Sequence, residues 1–289
     1  MRIPQTVAPL ILLASILSAA CGGPPDGAAQ LAPRPDYLSA DLGTLVDRAN
    51  AWTAAGLRAD GQLRMYWSGD EDSRHVDVML FATSSGALNM SGRRSLAGRI
   101  FDLISDGPEF QLVVPDHGAH YLGTAGAATQ PDPERPYFAL RPHHMTEALL
   151  PLPLPTRNSA ESNVVLETYP GRYALAWTES DGQDRRMRRK VWIERVGLTV
   201  SEINGFDGDG RIEFIARYSD FMGTEASAYP ATIEVERPWE ELVFRFDLTR
   251  ADRNPTMPAI AFKFQDLPEG YRSLSIEDAM AEFRRERGG

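Results

Sequence analysis

Residues 62–69 read QLRMYWSG. They are followed by HVDVMLFATSS (75–85), GALNMSGR (86–93), SLAGRIFDLIS (95–105), EFQLVVP (109–115) and AHYLGT (119–124). Each run is short, rich in β-branched, aromatic and aliphatic residues, and closed by Gly, Asp, Ser or Pro. No helical period separates them, so Gly61 to Thr124 is predicted to form about six consecutive strands of an antiparallel meander. Turn chemistry marks Asp60-Gly61, Ser85-Gly86 and Asp106-Gly107. A sheet of this size twists and is expected to curl.

Several of these strands are apolar on both parities. Val76, Val78 and Leu80 share one face while Met79 and Phe81 share the other; Phe101 and Leu103 oppose Ile100 and Ile104. A sheet apolar on both faces must be covered on both or must line a cavity. The question the sequence poses is what the curl encloses.

A second β-run extends from Val164 to Leu267: NVVLETYP, RYALAWTES, RRKVWIERV, LTVSEINGF, RIEFIARYSDF, ATIEVERP, ELVFRFDLTR and AIAFKFQDL. Its turns fall at Pro170-Gly171, Asp181-Gly182, Asp207-Gly208 and Pro238-Trp239. Alternation is cleaner here. Glu213, Ile215 and Arg217 oppose Ile212, Phe214 and Ala216, and Arg245 and Asp247 oppose Phe244, Phe246 and Leu248. Neither run carries helices to close its own core, so the two are read as one continuous sheet.

Between the runs, Gly123 to Arg135 (GTAGAATQPDPER) reads as a loop, and 136–150 (PYFALRPHHMTEALL) read as one or two short helices, with Pro142 starting the second. Leu149 to Pro155 (LLPLPLP) is apolar and held extended by its prolines, suited to lying across the mouth of the curl. Ahead of the meander, Asp41 to Ala55 has the pattern of a helix, with Asp41 as N-cap, Leu42, Leu45, Val46, Ala49 and Trp52 on one face, and Gly56 as the stop. Ser275 opens a final helix through a capping box with Asp278.

The chain of 289 residues is 43% hydrophobic and 24% charged, enough for a sizeable core. A formal charge of −10 argues against general nucleic-acid binding. The single cysteine excludes a disulfide framework and a Cys-based zinc site. It stands at Cys21, after the apolar run Val7 to Leu17 and the small residues Ser18-Ala19-Ala20. Residues 1–20 resemble a bacterial lipoprotein signal peptide, in which Cys21 becomes the lipidated first residue; Leu17 sits one position earlier than the usual pattern. An ordinary secretory signal is the alternative. Gly22 rather than Asp after the cysteine resembles outer-membrane-directed lipoproteins of Gram-negative bacteria. Residues 21–37, rich in Gly, Pro and Ala, read as a flexible tether, and 38–289 as one domain.

No set of residues declares a reaction. His117 and His120, and His143-His144, lack the HExxH or cysteine context of a zinc site, and hydrogen-bonded or solvated histidines are the better reading. Asp207 to Gly210 fails the EF-hand template and reads as a turn. Asp70-Glu71-Asp72 is a polar hairpin tip, and no GxSxG, SxxK or phosphate loop is present. The protein is therefore read as a non-enzyme with neither metal nor cofactor. The strongest charge feature is the basic run of Arg185, Arg186, Arg188, Arg189 and Lys190. It suits contact with anionic lipid or an acidic partner, or the charge protection of an exposed edge strand.

Loose motifs carry a family resemblance across residues 38–275. They are Leu57 to Leu63 after the first helix; Ile104-Ser105-Asp106-Gly107 with Phe110 to Pro115; Trp192 to Arg195; Tyr218 to Phe221; and Tyr229 to Ile233. Together they resemble the LolA/LolB-type proteins, including LppX-like envelope lipoproteins. That resemblance implies a mainly β, α+β fold: one large curved antiparallel sheet forming a half-open barrel, with helices on its concave side. It also implies binding of acyl chains, lipids or lipoproteins, or, in sensor members, of peptides and regulators. On that expectation Met65, Trp67, Val78, Leu80, Met90, Ile100, Leu112 and Val114 are the candidate lining of a lipid cavity, and a lipid on Cys21 holds the protein to the outer membrane facing the periplasm. The alternative is a filled barrel that acts through an envelope protein partner.

Overall fold

A computed structural model describes residues 38–286, apart from 52, 69–73, 125–135, 181, 183, 224–227 and 267–268. Cys21, the leader and tether, and Asp70-Glu71-Asp72 lie outside the described residues.

The first run forms six strands: β1 Gly56–Trp67, β2 Arg74–Thr83, β3 Leu88–Arg94, β4 Gly98–Ser105, β5 Glu109–Val114 and β6 Ala119–Thr124. After the insert come β7 Ser162–Thr168, β8 Arg172–Ser180, β9 Arg185–Glu194, β10 Val200–Phe206, β11 Ile212–Met222, β12 Tyr229–Arg237 and β13 Leu242–Arg253. Neighbours in each run pair antiparallel, and β13 returns to pair with β1. The two runs are thus one sheet of 14 strands, left open with β7 at one edge. The other edge is β14, Arg272–Ser275, which the sequence did not signal and which pairs parallel to β6.

The inner face is the core. Leu63, Val78, Leu80, Met90, Leu103 and Leu112 of the first run join Ile233, Val235, Phe244 and Phe246 of the second, all buried. Two helices pack against it: α1, Leu42–Asn50, through Leu45, Val46 and Ala49, and α2, Pro142–Leu149, through Met145, Ala148 and Leu149. A short 3-10 helix, Pro136–Ala139, precedes α2, and Pro142 takes its first position, where its missing N–H costs nothing. The helix α3, Ile276–Glu286, starts as expected: the Asp278 amide donates to Ser275 Oγ across 3.0 Å.

The two-sided apolarity has two different resolutions. On β4 and β5, Ile104, Gln111 and Val113 of the outer face are buried. The cover there is the segment around residues 257–265. Asn89 Nδ2 donates to the Ala261 carbonyl at 2.5 Å, and Gln111 exchanges two hydrogen bonds with the Gln265 backbone at 2.8 and 3.1 Å. This segment was expected to be the last strand. It is a 3-10 helix, Ala259–Phe262, followed by loop, because Pro255 and Pro258 withhold the donors a ladder needs. On β2 no such cover stands among the described residues: Met79 is 38% exposed, and Phe81 is shielded only in part, with the Arg58 guanidinium 5.6 Å from its ring.

Two further boundaries differ from expectation. Helix α1 ends at Asn50 rather than at Ala55, since Ala55 is drawn into the sheet by bonds from Ser84 N to Ala55 O and from Ala55 N to Asn254 Oδ1. Gly56 therefore opens β1. Asp60-Gly61 is no turn but a β-bulge inside that strand, where the pairing with β13 skips Thr249. Gly61 is required there because a Cβ would lie 2.4 Å from the Asp247 carbonyl oxygen.

Candidate functional site

Helix α2 and the chain just after it fill the inner side of β9–β12, and polar side chains hold them there. Tyr218 Oη donates to the Ala148 carbonyl at 3.0 Å and Tyr229 Oη to the Leu149 carbonyl at 2.5 Å. These are carbonyls of the last helical turn, which have no partner within the helix. Burial pushes both phenols well above their ordinary range, so they remain donors. Arg237 donates to the Ala139 carbonyl and pairs with Glu240, which also pairs with Arg141. Burial lowers Arg237 to about 10. The extended LLPLPLP stretch does cross the inner side: Asn50 exchanges two hydrogen bonds with Leu154, at 2.7 and 3.0 Å, which ties it to α1.

Between α2 and strands β8–β11 lies a polar cavity of about 180 Å³. Arg189 forms one wall. It is 3% exposed, donates to the Leu152 carbonyl at 2.8 Å and pairs with Glu147 at 2.9 Å. His143, His144 and Glu213 form another. His144 Nε2 stands 2.8 Å, and His143 Nε2 3.7 Å, from Glu213 Oε1. His144 is wholly buried, and burial lowers its imidazole to about 4. The two imidazoles, His143 first, hold the Glu213 carboxylate well below its usual range.

Local irregularity builds this wall. Strict alternation puts Glu213 beside Ile215 and Arg217 on the wet face. Instead the β10–β11 register shifts between Gly205 and Phe206, Gly205 facing Phe214 and Phe206 facing Ile212, so Glu213 is the extra residue of a bulge. The bulge re-aims its side chain at α2. The register of β8 and β9 shifts likewise and leaves Arg188 as the extra residue at the cavity. Gly205 lets the Phe214 ring lie across β10, where a Cβ would sit 2.2 Å from it. That ring in turn flanks His144, centroid to centroid 5.2 Å. Sequence reading found the two histidines but not their carboxylate, because 213 lies about seventy residues away and its parity points elsewhere.

The other named residues are distributed as follows. Met65, Val78, Leu80, Met90, Leu112 and Val114 are 0–4% exposed within the core; Trp67 is partly buried against it. Ile100 is also partly buried and stands at the register shift between β3 and β4. The basic run does not stand on an edge: β9 is flanked by β8 and β10, which removes the edge-protection reading. Its charges split. Arg189 points inward, Lys190 pairs with Glu167 at 2.7 Å under Trp192, Arg188 pairs with Glu179 at 3.3 Å, and Arg185 donates to Thr178 and the Ala160 carbonyl. Arg186 has a hydrogen-bonding or electrostatic partner too. His117 meets the Tyr121 hydroxyl at 2.9 Å and His120 meets Gln111 at 3.0 Å, both hydrogen-bonded as expected. In the Asp207 turn, Oδ1 accepts from the amides of Asp209 and Arg211.

No protein-family model and no curated protein sequence matches the chain. Solved structures do. A LolA superfamily protein from Nitrosomonas europaea superposes with a TM-score of 0.50 at 10% identity, covering 78% of this chain and 99% of that one. A putative outer membrane lipoprotein-sorting protein domain from Vibrio parahaemolyticus gives 0.46 at 6% identity over 76% and 95%. A DUF1329 family protein from Desulfovibrio piger gives 0.48 at 12% over 76% and 95%. The first of these establishes the fold: the chain has a LolA-like open, curved sheet, as its motifs led one to expect.

Proposed function

We propose that the protein is a cell-envelope lipoprotein, anchored through Cys21, that receives acyl chains of lipids or lipoproteins on the inner face of its sheet. The observation that carries this reading is the composition of that face. It is a continuous apolar surface running from Leu112 to Leu175, and on it lie α1, the short α2 and connecting chain rather than a second sheet. Displacing the α2 segment would open it. Acyl burial contributes about 0.8 kcal/mol per CH₂, so a chain of ~16 carbons supplies on the order of 10 kcal/mol against the cost of displacement. The LolA-like fold and the lipoprotein-like leader both support this reading. So does the placement of Met65, Val78, Leu80, Met90, Leu112 and Val114 on that one buried face, where they would form the acyl contact surface.

Mass spectrometry of lipid extracted from gently purified full-length protein tests this, together with titration of a fluorescent fatty acid. Co-purified lipid and saturable probe binding are expected. If no lipid is found and no probe binds, the reading fails.

A second reading is favoured by the near-complete burial of that same face and by the hydrogen bonds that hold α2. In it the barrel stays filled, and the protein acts through its surface on an envelope protein. Crosslinking that recovers one partner, lost on reversing Arg185, Arg186 and Arg188, would support it over acyl binding.

A further inference from the structure

Adjacent residues on a helix point about 100° apart, so neighbouring histidines seldom serve one ligand. Here they do converge: the His143 and His144 rings lie 4.0 Å apart between centroids. Each offers a nitrogen that lies, with a Glu213 oxygen, in a group whose ligand atoms are all within 4.8 Å of one another. Zinc bound at ~2.0–2.2 Å to imidazole and carboxylate holds its ligand atoms roughly 3.3 Å apart in a tetrahedron. The two distances to Glu213, 2.8 and 3.7 Å, straddle that value.

His144 supplies an independent observation. It is wholly buried, yet neither ring nitrogen makes a hydrogen bond of acceptable geometry among the described residues. Its Nε2 stands 2.8 Å from Glu213 Oε1 as an ion pair, and its Nδ1 has no partner among the described residues. A buried imidazole without such a bond is costly unless something else engages it. The cavity beside it is polar and of a size for an ion with one or two small ligands.

We propose that His143, His144 and Glu213 bind one divalent transition-metal ion of the zinc class. Two imidazoles, which are borderline donors, with one hard carboxylate suit zinc, nickel, copper or iron rather than calcium or magnesium. Three protein ligands leave a fourth position toward the cavity, where Glu147 and Arg188 stand. The ligands come from α2 and from β11, so the ion would clamp the helix to the sheet. This site does not depend on acyl binding.

The test is a zinc titration of tag-free mature protein previously stripped with a chelator, monitored by competition with a chromophoric zinc indicator. The wild type is expected to bind one zinc per chain and to gain thermal stability from it. His143→Asn and Glu213→Gln keep size and shape, and their folding is checked by circular dichroism. Each is expected to weaken zinc at least about tenfold and to lose the thermal gain. The proposal is overturned if the folded wild type takes up no stoichiometric zinc. It is equally overturned if both folded variants bind zinc as tightly as the wild type, which would place the metal at other histidines.

Discussion

Tyr218 Oη donates to the Ala148 carbonyl across 3.0 Å, so a side chain of β11 ends a helix that the chain reached some seventy residues earlier. The donor is buried and its phenol is held protonated by that burial. Tyr218→Phe removes the donor and leaves a buried carbonyl without it, which costs about 1–3 kcal/mol. Urea unfolding is expected to show that loss with an unchanged slope. If acyl chains enter by displacing α2, the same variant should also bind a fluorescent fatty acid more tightly, since less must be broken to admit it.

Gly61 offers a sharper steric test. A methyl there would meet β13 backbone at 2.4 and 2.7 Å, atoms that cannot step aside. Gly61→Ala is expected to cost about 1–3 kcal/mol or more in denaturant unfolding. Gly98, with φ of +76° and open space around it, is the control. Gly98→Ala meets only the left-handed penalty of about 1–2 kcal/mol.

The six strands of Gly61 to Thr124 and the union of both β-runs were legible because alternation, turn residues and the absence of helical period agree. The exceptions share a cause. Pairing across the sheet decided them, and pairing is non-local. The bulges at Gly61 and Glu213 exist only relative to β13 and β10, so no local pattern announces them. Likewise AIAFKF has strand composition, yet its place in the ladder was denied by the prolines before it and by a free outer face ready to receive it.

The basic run makes the same point with charge. Arg189 is 3% exposed and locked to Glu147 and the Leu152 carbonyl, while Arg188, one residue earlier, is about half exposed. Arg189→Ala leaves the Leu152 carbonyl without its donor and the partly buried Glu147 without its cation, and is expected to cost about 1–3 kcal/mol. Arg188→Ala should fall within about 0.5 kcal/mol of wild type. Thermal melts of the two variants side by side measure the difference, and equal effects would show that Arg189 is not structural.

Acid should loosen α2. With metal removed by chelator, the lowered imidazole of His144 and the lowered carboxylate of Glu213 both bind protons more readily in the unfolded chain. Stability therefore rises with pH through this range, by linkage. His144 contributes fully above its ordinary value near 6.5 and loses that contribution as pH falls toward about 4; the Glu213 contribution fades below about 4.5. Chelated wild type is expected to lose on the order of 1–3 kcal/mol between pH 7 and pH 4.5 in denaturant titrations. His144→Gln, which cannot charge, should show a shallower slope over the same range. A slope unchanged in that variant would mean that other groups carry the acid sensitivity and that His144 is not held neutral by the fold.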